Sequence, residues 1–170
     1  MTTVKHHTPR REGETLLFSL DTLLPAGQAL SVNVDYCIVA LVCTSPTSQN
    51  PILLERPLTE RAMRIFLPLL SEPHSCPHEI LLASLFYPSY RAFLEGLFSN
   101  DRGAAQSWNA TIQAHRQRLL QAQERKTWKQ EMKPLYNVLS KIRHELHPFG
   151  LEICATPSRL GYTLISLPRT

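Results

Sequence analysis

Apolar and polar positions change rhythm along the chain. Val32, Val34 and Tyr36 alternate with Asn33 and Asp35, the period-two pattern of a half-covered strand. Ile38 to Val42 is more uniformly apolar, so this strand is expected to be covered on both faces for part of its length. Residues 15–24 are also apolar and β-prone, 44–51 have the composition of a loop, and Ile52 opens a short strand. Thr59 is then placed to cap a helix in which Ala62, Ile65, Phe66 and Leu69 recur at helical spacing. Pro68 inside that pattern is expected to kink the helix or end its regular part. Pro77 suits the first residue of a second helix that buries Ile80, Leu81, Ser84 and Leu85.

Residues 87–103 predict a short helix, and 104–129 a long polar one. Its apolar marks are Trp108, Ile112, Leu119 or Leu120, and Trp128, sparse enough that it packs on one side only. A last helix from Met132 to Leu146 has Leu135, Val138, Leu139, Ile142 and Leu146 on its core face, leaving Tyr136, Asn137, Ser140, Lys141, Arg143 and His144 off the stripe. The sequence His147-Pro148-Phe149-Gly150 stops it. Strands at 151–155 and 162–167 follow, joined by the turn 156–161. The expected fold is α+β: an N-terminal antiparallel sheet, a three-helix core, a helical insertion and a C-terminal β-hairpin. Residues 1–14 are expected to be a mobile leader, and 15–170 a single domain. Within it, 15–56 hold the N-terminal strands, 87–131 the insertion, 132–148 the last helix and 151–167 the hairpin.

Composition narrows the chemistry. With 43% hydrophobic and 19% charged residues among 170, a folded globular domain is expected. No apolar run is long enough to span a bilayer and residues 1–12 lack the apolar core of a signal peptide, so a cytoplasmic protein without membrane contact is expected. Cys37, Cys43, Cys76 and Cys154 form no CxxC pair and read as free thiols. His74, Cys76 and His78 would point in divergent directions, so no metal is expected there. There is no glycine-rich phosphate loop, no Gly-x-Ser-x-Gly and no His-Glu-x-x-His, and only six glycines to build such loops. Neither catalysis nor a cofactor is expected.

Charge is unevenly placed. Residues 1–101 carry seven Lys/Arg against ten Asp/Glu, a balance of −3, and 102–170 carry eleven against four, +7. A basic half concentrates counter-ion attraction where a polyanion would dock.

The order of elements, with Leu58-TERAMRIFLPLL, Pro77-HEILLASLF, Leu135-YNVLSKIRHEL, Gly150-LEICAT and Arg159-LGYTLI, resembles the winged-helix effector domain of OmpR/PhoB-type response regulators. That family's wing typically ends in Gly-x-Gly-Tyr, of which Gly161-Tyr162 keeps the last two residues. The resemblance covers residues 51–86 and 134–167. It departs from the family where about forty-five residues separate the second helix from the last, and no receiver domain or built-in aspartyl-phosphate switch is expected. It implies a transcriptional regulator whose partner is double-stranded DNA. Tyr136, Asn137, Ser140 and Lys141 would face base edges in the major groove, and Arg143 and His144 the rim or backbone. Arg159 would reach a minor groove or phosphate, and Thr156 would donate to a phosphate or stabilise its turn. Tyr162 would pack. The insertion, with Arg116, Arg118, Arg125, Lys126 and Lys129 interleaved with Trp108 and Trp128, would track a nucleic-acid backbone, stack an unpaired base, mediate a homodimer or dock a protein partner. The competing class is a non-enzymatic winged-helix adaptor of a larger assembly, docked through 87–131.

Overall fold

The computed structural model describes residues 10–12, 15–44 and 51–168. Five strands form one antiparallel sheet in chain order: β1 (Arg10–Glu12), β2 (Thr15–Phe18), β3 (Gln28–Asn33), β4 (Ile38–Cys43) and β5 (Ile52–Pro57). Arg10–Glu12, inside the stretch expected to be a leader, pairs with Thr15–Leu17, while the leader's residues 1–9 lie outside the described residues. The single strand expected through residues 32–42 is a hairpin, β3 folding back on β4 with Val32 opposite Val39. Turn chemistry overrides the alternation. Asn33 Oδ1 accepts from the N–H groups of Asp35 (3.2 Å) and Tyr36 (3.0 Å), and Cys37 sits at φ +54° to close the loop. The sheet's inner face, with Leu16, Phe18, Leu30, Val32 and Val39, joins the main core.

α1 (Glu60–Ser71) is the centre of that core. Thr59 Oγ1 accepts from Ala62 N–H at 3.1 Å, as its capping position predicts. Every residue from Ala62 to Leu70 is buried, far more than one face. Pro68 does not end the helix, which runs on to Ser71; close packing around these turns outweighs the hydrogen bond a proline lacks. Arg64, also buried, donates to the carbonyls of Ser84 (3.2 Å) and Tyr87 (2.7 Å), satisfying the end of α2 (His78–Phe86). Pro77 is the N-cap of α2 rather than its first helical residue.

The insertion contributes α3 (Tyr90–Phe98) and α4 (Arg102–Glu124). α4 buries Trp108, Ile112, His115, Leu119 and Ala122 on one side, and Leu120 is exposed. Trp108 meets the rings of Tyr87 and Phe93 at 5.4 and 5.8 Å, so the insertion shares the core instead of extending away from it. α4 stops at Glu124, short of the expected Lys129, because Lys126 adopts φ +57° and the chain turns. Trp128 therefore begins α5 (Trp128–Leu146), which starts four residues earlier than the pattern predicts and passes through Pro134. Its stripe of Leu135, Val138, Leu139, Ile142 and Leu146 is buried as expected, together with Met132.

A turn of 3-10 helix at His147–Phe149 and Gly150 at φ +75° lead into β7 (Leu151–Ala155), which pairs with β8 (Gly161–Ser166). A two-residue strand, β6 (Cys76–Pro77), pairs with the other edge of β8, giving the order β6-β8-β7. Pro73 reinforces this link: its carbonyl accepts from Leu164 N–H at 2.8 Å and Thr163 Oγ1 at 2.7 Å. The C-terminal hairpin is thus tied to the α1–α2 connection. Among the described residues no helix is long and apolar enough to cross a membrane.

Two buried histidines give the fold a pH dependence. Burial lowers the pKa of His78 below its usual 6.5, opposed by Glu79; burial also lowers that of His115, helped by Arg118 and opposed by Glu131. The unfolded chain therefore binds protons more readily at these positions. Stability is fully present above the unfolded value and is lost as pH falls below it toward the folded values. Thermal melts are expected to move to lower temperature between pH 7.5 and pH 5.5, and His78→Gln is expected to flatten part of that dependence. An unchanged pH dependence in the variant would contradict this assignment.

Candidate nucleic-acid interface

Because α5 spends its apolar stripe on the core, its opposite side is free to solvent. Lys133, Asn137, Ser140, Lys141 and His144 recur at three- and four-residue spacing and all are exposed. Tyr136, 40% exposed, flanks this strip on the side of the C-terminal hairpin. On the other flank α4 meets the beginning of α5. There Arg118 lies 3.6 Å from Glu131, and His115 and Arg118 border Gln130 and Pro134. The insertion therefore leaves the strip from Lys133 to His144 uncovered. Lys133 belongs to it by its spacing to Asn137, a signal present in the sequence but absent from the expected set.

Arg143 has a different position from its neighbours. Its Nε donates to the Ile153 carbonyl at 3.2 Å and lies 3.6 Å from Glu152 Oε1. His147 Nε2 is 2.8 Å from Glu152 Oε2. These contacts clamp the end of α5 to β7, so Arg143 positions the hairpin beside the helix instead of standing as an unpaired cation.

The hairpin turn is equally defined. Thr156 is buried, its hydroxyl 3.0 Å from Ser158 Oγ, its N–H donating to the Gly161 carbonyl and its own carbonyl accepting from Arg159 N–H. Of the two roles open to Thr156, turn stabilisation is the one these bonds serve, and its hydroxyl is not presented outward. Arg159 sits at the tip with φ +59° and is exposed; Leu160 beside it is 68% exposed. Tyr162 is buried and meets His78 edge-on at 5.5 Å, and Trp128 meets the same ring at 5.4 Å. Burial pushes the Tyr162 hydroxyl pKa up, and Tyr136 adds to the effect against Arg143.

Between the hairpin tip and the α4–α5 elbow lies a cleft of about 810 Å³ whose lining includes Trp128, Tyr136, Tyr162, Lys126, Lys129 and Arg159. Periodicity alone places Lys126 and Lys129 on the insertion helix; the left-handed turn at Lys126 moves Lys129 onto α5 and both to the cleft. No pattern in the sequence announces that turn. Lys126, Lys129, Lys133, Lys141 and Arg159 are all exposed, and none forms an ion pair among the described residues. One end of the molecule thus combines uncompensated cations, amide and hydroxyl groups and a fixed hairpin. No family model matches this chain, and no curated protein or solved structure matches it either.

Proposed function

We propose that the chain is a sequence-specific DNA-binding transcriptional regulator of winged-helix architecture. The observation that carries this reading is the exposed strip from Lys133 to His144 lying beside a hairpin clamped through Arg143, Glu152 and His147. The major groove of B-DNA admits one α-helix, and α5 offers it a face without apolar residues apart from the Tyr136 flank. Asn137 suits bidentate pairing with adenine and Lys141 suits guanine acceptors, while Lys133 and Arg159 neutralise phosphates or enter the adjacent minor groove. Ser140 and His144 complete the hydrogen-bonding surface. A single helix reads few base pairs, so paired copies or tandem sites are expected.

The strand order β6-β8-β7, with β6 between the first two helices, supports the winged-helix reading, because it makes the hairpin a fixed wing instead of a loose ribbon. A partner-docking role for the insertion is favoured by Leu120 alone, 49% exposed on the polar side of α4. Asn137 gives the direct test. Selection of bound duplexes from a random pool is expected to yield a consensus with the native chain. Asn137→Ala is expected to relax one adenine position, with a loss of about 1–3 kcal/mol against the preferred site. A consensus unchanged by the substitution, or none from the native chain, would overturn the reading.

A further inference from the structure

The cleft between the hairpin tip and the α4–α5 elbow is not needed to hold a helix in a groove, yet its lining is specific. Trp128 and Tyr136 supply aromatic surface, Leu160 an apolar edge, and Lys126, Lys129 and Arg159 three positive charges. None of these cations forms an ion pair among the described residues. Trp128 packs edge-on against His78, which packs in turn against Tyr162, so its ring is already in place in the unbound protein. Small residues, Ala122 and Ala155, also line the cleft, and its volume is of the order that small ligands occupy.

Flat apolar surface surrounded by separated cations matches a nucleobase joined to its phosphates. The base stacks while the backbone on either side is neutralised. We infer that this cleft receives an unpaired nucleotide of the bound nucleic acid, its base against Trp128 and Tyr136 and its phosphates on Lys126, Lys129 and Arg159. The inference rests on the DNA-binding reading above, and it adds a structural preference: a duplex with one extrahelical base beside the docking site is bound better than a fully paired one. The cleft is continuous with the strip on α5 through Tyr136, so both surfaces contact one nucleic acid at once.

Three probes separate the possibilities: a fully paired duplex, the same duplex with one extrahelical thymidine, and thymidine monophosphate alone. The native chain is expected to bind the bulged duplex about tenfold more tightly than the paired one and to show quenching of Trp128 fluorescence only with the former. Trp128→Phe assigns the quenched signal to Trp128, since the buried Trp108 still emits but cannot stack on a base. Trp128→Leu is expected to remove the preference and leave binding to the paired duplex unchanged. Lys126→Gly is expected to reduce the preference severalfold; glycine suits φ +57°, so this variant retains the fold even if Trp128→Leu does not. Equal affinity for bulged and paired duplexes, without quenching, would defeat the cleft assignment while leaving duplex recognition standing. Quenching by thymidine monophosphate alone at the same concentrations would overturn it in favour of a small-molecule site. If neither duplex binds, the DNA-binding reading and the cleft assignment both fail.

Discussion

Removing three charges in Lys133→Ala/Lys141→Ala/Arg159→Gly is expected to weaken duplex binding by about two to three orders of magnitude at low salt. All three side chains are exposed and without an ion pair among the described residues, so their removal leaves no buried group unsatisfied. Glycine at 159 also suits the φ of +59° there. Each phosphate that is no longer neutralised takes about 0.9 from the slope of log affinity against log salt, so losing the phosphate contacts of Lys133 and Arg159 is expected to flatten that slope by about 1.8. Anisotropy titrations of a labelled duplex across a salt series measure both quantities. A large loss of affinity with the native slope retained would mean that Lys133 and Arg159 do not meet phosphates.

Gly161→Ala is expected to be the most damaging single substitution for stability, at about 3 kcal/mol or more. A Cβ at this position would run into the backbone carbonyl of Cys76, with Pro77 Cα also too close. Both neighbours are backbone in β6, which pairs Pro77 with Gly161 and Cys76 with Tyr162. Relief requires the strands to part, and parting releases the hairpin from the α1–α2 connection. Urea unfolding measures the loss. Duplex binding is expected to weaken as well, because the hairpin tip no longer holds its place beside α5. A variant with native stability would contradict the tight strand contact on which the hairpin's rigidity depends.

Legibility in the sequence followed the strength of local pattern. The stripe of α5 and the strands β7 and β8 were readable because periodicity, Pro148 and Gly150 all agreed on one outcome. The hairpin turn between β3 and β4 was not, since alternation across Val32–Tyr36 continues through residues that hydrogen bonds donated to the Asn33 side chain bend into a loop. Pro68 did not end α1, which runs on to Ser71. The burial that holds α1 together around it is tertiary and has no local signature. The end of α4 at a left-handed lysine was equally hidden, because a non-glycine residue with positive φ is chosen by its surroundings.

The interface divides the same way. Exposure of Asn137, Ser140, Lys141 and His144 follows directly from the stripe opposite them. The attachment of Arg143 to Ile153 and Glu152, and the engagement of Thr156 within its turn, depend on contacts between elements that periodicity does not specify. The cleft depends on the α4–α5 elbow meeting the hairpin tip, a meeting that only three-dimensional packing brings about.

Nitrogen-15 NMR spectra of this 19.3 kDa chain, recorded during titration with a duplex from the selected pool, locate the binding surface directly. The amide signals of Lys133, Asn137, Ser140, Lys141, His144, Arg159 and Leu160 are expected to move most. Shifts gathered instead around Leu120 on the outer side of α4, with α5 and the hairpin tip unmoved, would contradict recognition of DNA by this face.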